Sequence, residues 1–490
     1  MIRTLLLAAV TIAVASAAPA ADLVTAVPGF AKAPFKVYSG YLTVPGPIPG
    51  SGEAASYSSL AIHYEFHEAQ TASASAPLVT WHQGGPGGSS MYGAVTEMGY
   101  FQESSNGSFV NPYAWNKVAN MLYLESPAGS NDPLGFSTCS VDDKVSDQCS
   151  WDDKTQAVAY GHTLEAFFKA FPEYKKNALF LTGESYAGQY VPNIATFILS
   201  AAGATASPTA NANLKGIAVG NGCWGGTATE VDCNGPNSDQ NDVDMYYGKG
   251  LVAKKTYIAT NAACKWPATR TLKCQKMLDQ VDKEVGPHNV YDIYDNCPST
   301  AEWVKRSGKT MRFLKGHLRK ALSQHEPKSK TDAYLKGLAG GYDWACGGMS
   351  AMANFYGDAK TRTAMHLGKP GVSQFGYRSS GPASVTLYPT LVKKIRVMIY
   401  NGDSDSCVPY KGNEEWTTAV TGTAENKGWH PWFTPQVPNM PAGYSTTYNV
   451  TGSPHDFSFV TIRLAGHMVP TFQPAPAYHF FSEFIAGRTL

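Results

Sequence analysis

The apolar run Ala178-Leu179-Phe180-Leu181 ends in Gly183-Glu184-Ser185-Tyr186-Ala187-Gly188 and passes at once into an amphipathic stretch rich in helix formers. A strand, a glycine-bracketed turn and a helix in immediate succession restrict the chain to folds in which strands and helices alternate. Further apolar runs at Pro77 to Trp81, Ala119 to Leu124, Leu214 to Val219 and Ile395 to Tyr400 read as strands buried on both faces of a mainly parallel sheet. Lys154 to Ala170 reads as a helix with Ala157, Leu164, Phe167 and Phe168 on its apolar face, closed by Phe171-Pro172. The expected class is α/β, a mainly parallel central sheet flanked by helices.

A serine at such a turn is lifted out of the sheet edge, and the helix N-terminus behind it favours negative charge. Ser185 is therefore the candidate nucleophile, and it needs a base with an orienting carboxylate. The run Ile395 to Tyr400 leads into Asn401-Gly402-Asp403-Ser404-Asp405, a turn with two acids, either of which can orient a histidine. Phe459-Val460-Thr461-Ile462 leads into Ala465-Gly466-His467-Met468-Val469-Pro470, which makes His467 the candidate base. Serine, aspartate, histidine is the chain order of an α/β-hydrolase. Acyl transfer also needs donors for the oxyanion. The Tyr186 N–H follows the nucleophile, and backbone N–H groups of the glycine block at Gly84 to Gly88 can approach a carbonyl oxygen without side-chain obstruction. That block lacks the Gly-Lys-Ser/Thr ending of a phosphate loop.

The 490 residues carry a net charge of +1 and a charged fraction of 16%, which leaves no basic footprint for nucleic acid. Arg3, the run Leu5 to Val14 and Ala15-Ser16-Ala17 read as a signal peptide over residues 1–17. That run is shorter than the ~20 apolar residues of a membrane span, and no later segment reads as one. The nine cysteines fit an oxidising route. Cys139 with Cys149, Cys223 with Cys233, and Cys264 with Cys274 can close short loops; Cys297 with Cys346 can close a longer one, leaving Cys407 over; spacing alone does not fix the pairing. No cysteine–histidine pattern suggests a metal site, and no cofactor is expected. Asn106 and Asn449 head glycan-acceptor triplets. Between Cys223 and Cys346 the alternation of buried strands gives way to lysine-bearing helical stretches such as Trp303 to Ser323. The expected division is a core over 18–222, a helical cap insertion over 223–346 that walls the site, and the rest of the core over 347–490. Val44 to Gly52 and Ala201 to Asn213 read as loops.

Several blocks resemble the serine carboxypeptidase family. Trp81-His82-Gln83-Gly84-Gly85-Pro86-Gly87-Gly88-Ser89-Ser90 is similar to its WxNGGPGxSS block, Asn111 to Trp115 to its NPYSW segment, and Glu125 to Gly129 to its DxPxG loop. The Ser185 turn, Gly402 to Asp405 and Ala465 to Pro470 extend the resemblance from about residue 81 to residue 470. The resemblance implies an α/β-hydrolase fold with a cap. It implies Ser185, Asp405 and His467 as the triad, and Gly85 beside Tyr186 in the oxyanion hole. It also implies Gln83, Glu97 and Glu184 as the grip on a peptide's free C-terminal carboxylate. Two neighbouring carboxyls cannot both ionise cheaply, so a proton can be shared with the incoming carboxylate, which gives an exopeptidase with an acidic working range in a secreted, vacuolar or lysosomal setting. The rivals are an acyltransferase on the same scaffold and a non-catalytic secretory protein; Glu184, where such acyltransferases often carry Asp, argues for the peptidase. Four departures stand out: Gln83 in place of Asn, Gly88 in place of Cys, the longer loop Ser130 to Leu134, and Cys407 two residues after Asp405.

Overall fold

Leu179–Glu184 lies at the centre of the main sheet, and every strand beside it in the parallel core comes from an apolar run of the sequence. The computed structural model describes residues 18–52, 56–104, 107–129, 135–201, 212–227, 231–267, 271–295, 324–325, 348–368 and 374–490. The signal segment 1–17, Asn106, Ser130 to Leu134, most of Ala201 to Asn213, Cys297, Trp303 to Ser323 and Cys346 lie outside them.

In chain order the strands on the main path of the sheet are β1 (Leu23–Val24), β2 (Val37–Pro49), β3 (Ser56–His67), β4 (Leu78–His82), β5 (Asn120–Leu124), β6 (Leu179–Glu184), β7 (Leu214–Gly220), β8 (Arg396–Gly402), β9 (Thr423–Trp432), β10 (Gly443–Val450) and β11 (Phe457–Ile462). They run in the order β1-β2-β3-β5-β4-β6-β7-β8-β11-β10-β9. The stretch from β5 to β11 is parallel throughout, and antiparallel strands extend it on both sides. Side chains alternate between faces, and adjacent residues of β4 record it. Trp81 meets Trp115 edge-on, and Trp115 stacks at 3.9 Å on Phe481 of the helix Pro474–Ala486. His82, which precedes the short α1 (Met91–Thr96) in the chain, faces Tyr160 of α2 (Asp153–Ala170) on the other side. Helices therefore cover both faces, as a parallel sheet requires. Ala157, Leu164, Phe167 and Phe168 of α2 are all buried, as the periodicity predicts.

Val44 to Pro49 is a correction. The prolines and glycine there suggest a loop, yet the segment is the second half of β2, paired with Ser56 to Leu60 across a bulge between Pro45 and Ile48. Val44 and Ile48 are buried, and that burial outweighs the missing proline N–H groups, which the bulge accommodates.

After α3 (Ala187–Ala201) and β7 come α4 (Ser238–Gly248), α5 (Lys254–Ala263) and α6 (Leu272–Val285), which enclose a small apolar cluster of their own around Val243, Tyr246, Leu278 and Val281. The disulfides Cys139–Cys149, Cys223–Cys233 and Cys264–Cys274 are those the spacing allows, and Cys407 is buried outside them. Among the described residues, no helix is long and apolar enough to cross a membrane.

Candidate active site

The parallel strands end in register, with Glu184 beside Gly220 and Gly402 beside Ile462, so the residues that follow them gather along one edge. Ser185 follows β6 with φ of +62°, a left-handed conformation that a non-glycine residue holds only when its surroundings enforce it. Its N–H donates to Gly220 O at 3.0 Å, and its carbonyl accepts from the N–H groups of Gly188 and Cys223, both at 2.9 Å. The glycine loop presses on this turn: a Cβ on Gly84 would stand 2.5 Å from Ser185 Cβ and 2.6 Å from Tyr186 N. Gly84 thus packs on the Ser185 turn close to the Tyr186 N–H, and the Gly85 N–H follows it in the loop. Among the described residues, no other backbone group takes up either of those N–H groups.

Asp405 follows β8 and is fully buried. Its Oδ2 lies 2.7 Å from His467 Nδ1 and accepts from Asn221 Nδ2 at 2.8 Å and from Val408 N at 3.2 Å, while its Oδ1 accepts from Cys407 N at 2.8 Å. Asp403 is turned away, accepting from Leu464 N at 2.8 Å and pairing with Lys249 of α4 at 3.0 Å. Of the two acids, only Asp405 meets the histidine.

Around this pair, Asn221, Tyr291 and Val290 escaped the sequence reading. Asn221, directly after β7, joins the strand ends: its N–H donates to Tyr400 O at 2.8 Å, its Oδ1 accepts from Gly402 N at 3.0 Å, and its Nδ2 holds Asp405. The turn pair Asn221-Gly222 after a strand was the available signal. Tyr291, beyond α6, accepts the His467 N–H at 2.7 Å through its carbonyl, and its ring meets the imidazole edge-on at 5.0 Å. Its neighbour Val290 accepts from both the N–H and the Oγ of Ser406 at 2.9 Å, so one strap touches the aspartate turn and the histidine loop together. Asn111, from the Asn-Pro-Tyr-Ala-Trp segment, donates through Nδ2 to the carbonyls of Glu97 (3.2 Å) and Gly99 (3.1 Å).

Glu184 and Glu97 are both buried. Gln83 Nε2 donates to Glu184 Oε1 at 2.6 Å, and Gln83 Oε1 accepts from Trp81 Nε1 at 3.0 Å. Burial raises the pKa of both carboxyls; the charge of Glu97 raises Glu184 further, and polar contact with Gln83 and Glu184 partly opposes the effect at Glu97. The site thus holds at least one carboxyl proton well above the usual carboxylate range.

Two of the departures prove to be spatially linked. A Cβ on Gly88 would lie 3.1 Å from Gln83 Cγ and 3.0 Å from Gly84 O, tighter than ordinary contact. The longer stem of Gln83 occupies space that a side chain at residue 88 would crowd. Glu125 is a buried structural acid: Oε1 accepts from Ser89 Oγ at 3.1 Å, and Oε2 accepts from the N–H groups of Phe136 (2.7 Å) and Ser137 (2.5 Å).

A serine at a left-handed strand–helix turn and a buried aspartate–histidine contact, each following a strand at the C-terminal edge of one parallel sheet, have the layout of an α/β-hydrolase. The solved structure of Kex1(delta)p, a prohormone-processing carboxypeptidase from Saccharomyces cerevisiae, shares this fold with a TM-score of 0.58 and 17% identity, covering 92% of this chain and 91% of that one. The serine carboxypeptidase family model matches residues 28–487. The chain is 30% identical over 516 residues to serine carboxypeptidase 1 of Hordeum vulgare, covering 97% of this chain and 94% of the relative. It is 31% identical over 504 residues to the lysosomal protective protein of Mus musculus, covering 96% and 94% respectively. The chain belongs to the serine carboxypeptidase family and is a serine-type hydrolase of peptide bonds.

Proposed function

We propose that this carboxypeptidase works through Ser185, Asp405 and His467, with Gly85 and Tyr186 N–H groups as the oxyanion hole and Gln83, Glu97 and Glu184 as the reader of the substrate's terminal carboxylate. The observation that carries the reading is the 2.7 Å contact between Asp405 and His467, whose aspartate is held by Asn221, the residue after the Gly220 carbonyl that accepts the Ser185 N–H.

His467 Nε2 takes the Ser185 proton as Oγ attacks the carbonyl carbon of the last peptide bond, and the carbonyl oxygen gains its negative charge against the two N–H groups. Asp405 keeps the second proton on Nδ1 and stabilises the imidazolium. Collapse breaks the C–N bond, and His467 passes its proton to the departing amine. A water molecule then repeats the sequence on the acyl-enzyme and restores the serine. The carboxyl pair donates its shared proton to the substrate carboxylate, so binding weakens once that proton is lost; this supports an acidic working range.

Residues 223–346 serve as the cap in this reading, supported by the separate apolar cluster among α4 to α6 and by the strap at Val290 and Tyr291. The leader at 1–17, the three disulfides and the exposed Asn449 support a secretory route, with glycans on Asn449 and Asn106 and a secreted, vacuolar or lysosomal destination. The test is Ser185→Ala: release of C-terminal amino acids from N-blocked dipeptides and labelling by a fluorophosphonate should both vanish. Retained release would refute the assignment.

A further inference from the structure

Asp153 opens α2 directly after its capping residue Asp152, at the helix end whose dipole favours a negative charge. The side chain is buried, 33 residues from the serine turn in sequence, and four donors converge on it. Oδ1 accepts from Tyr186 Oη and Tyr377 Oη, each at 2.9 Å; Oδ2 accepts from the N–H groups of Ser380 at 2.6 Å and Gly381 at 3.1 Å. An ionised carboxylate is acceptor-only, and this arrangement fills both of its oxygens.

The two tyrosines connect this anchor to both sides of the oxyanion hole. Tyr186 belongs to the serine turn and supplies one of its N–H groups. Its ring meets Tyr377 edge-on at 5.5 Å and Tyr190 at 5.3 Å, and Tyr190 meets Tyr377 at 5.9 Å. Tyr190 Oη in turn accepts the N–H of Gly87 at 3.2 Å, two residues from Gly85. Phe375, stacked on Tyr377, closes the other side of the glycine loop, where a Cβ on Gly87 would stand 2.5 Å from its ring. Hydrogen bonds fix the ring angles, which apolar packing alone leaves looser, and the rings fix the spacing between loop and turn.

We propose that Asp153 is a positioning residue for catalysis: through Tyr186, Tyr377 and Tyr190 it sets the separation of the Gly85 and Tyr186 N–H groups that receive the oxyanion. The inference rests on the reading of Ser185, Gly85 and Tyr186 given above. Removal of an oxyanion donor lowers turnover by about 100- to 1,000-fold. A donor displaced but still present should lower it by less, about 10- to 100-fold.

The experiment compares the full-length enzyme with Asp153→Asn, Tyr377→Phe and Tyr186→Phe. For each, kcat and KM are measured on an N-blocked dipeptide, together with Ki for a peptide aldehyde, whose adduct places an oxyanion in the hole, and Ki for an N-blocked amino acid, which does not. Asp153→Asn should lower kcat about 10- to 100-fold and raise the aldehyde Ki by the same factor, with KM and the amino-acid Ki within about twofold. The tyrosine variants should follow in the same direction by about 3- to 10-fold, and Asp153→Asn combined with Tyr186→Phe should be no worse than Asp153→Asn alone. If Asp153→Asn does not fold, the tyrosine variants decide. Aldehyde affinity unchanged in both of them, or both inhibitors weakened in equal proportion, overturns the proposal. A wild-type enzyme that neither aldehyde nor fluorophosphonate engages instead overturns the underlying assignment of Ser185.

Discussion

Asn221→Asp swaps one side chain for another of nearly the same shape, and aspartate tolerates the left-handed backbone at this position, where φ is +43°. The bond from Gly402 N to Oδ1 survives. What changes is the contact with Asp405 Oδ2 at 2.8 Å, where a donor becomes a second carboxylate oxygen. Two charges at that distance repel by about 6 kcal/mol at an effective dielectric constant near 20. A proton relieves the repulsion and restores the donor, at a cost of about 1.4 kcal/mol for each pH unit above the unfolded-state value near 3.9. The cheaper route sets the penalty: about 1.5 kcal/mol at pH 5 and about 4 kcal/mol at pH 7. Because the folded-state pKa of the pair is raised, its stability is complete at low pH and is lost as pH rises. Thermal unfolding of both proteins at one scan rate from pH 5 to pH 7.5 should therefore show midpoints that diverge with pH. A gap that stays constant across that range would refute the reasoning and place Asn221 away from the aspartate's electrostatic field.

Glu125 is pushed up to about 7, first by burial, so the stability tied to its proton is complete below about 4.5 and lost as pH rises through 7, about 3 kcal/mol in all. Glu125→Gln, which can keep its carbonyl on the Phe136 and Ser137 N–H groups, should match or exceed the wild-type midpoint at pH 8 and flatten the slope; a lower midpoint at that pH counts against this account. Gly84→Ala forces a methyl group to within 2.5 Å of Ser185 Cβ, and turnover should drop at least 100-fold in a folded protein, as circular dichroism would verify; a change under twofold would show that the loop is free to move. For the carboxyl pair, wild-type KM on an N-blocked dipeptide should rise from pH 5 to pH 8 as the shared proton is lost, while Glu97→Gln combined with Glu184→Gln should hold it level; an unchanged slope in the double variant removes the pair from substrate binding.

The parallel core was legible because its strands are buried on both faces and so appear in the sequence as unbroken apolar runs, Leu179 to Leu181 being the plainest. The antiparallel margin was not. Strand β3 carries His63, Glu65 and His67, all buried, and Glu65 is satisfied by Tyr356 Oη at 2.7 Å from 291 residues away, a partner no local window contains. In β2 the local turn chemistry of Pro45 to Pro47 pointed the wrong way, because Val44 and Ile48 gain their burial only once β3 is alongside. The candidate site divides in the same manner. Ser185, the two acids after β8 and His467 sit in turns that announce themselves, whereas Asn221 and Asp153 make their contacts across 184 and up to 228 residues of chain.

The strap at Val290 and Tyr291 meets partners that are made well after it, Ser406 and His467. The three described disulfides close within residues 139–274, each joining cysteines ten positions apart, so they can form while the remainder is still being synthesised. Ser185 and the strap are also made early, but His467 enters its loop only after a further 176 residues beyond Tyr291 have been added. On the assignment proposed above, a nascent chain therefore carries the nucleophile for most of its synthesis without a base to activate it. On that assignment an unfinished chain is inert, and activity waits for β11 and the loop that follows it.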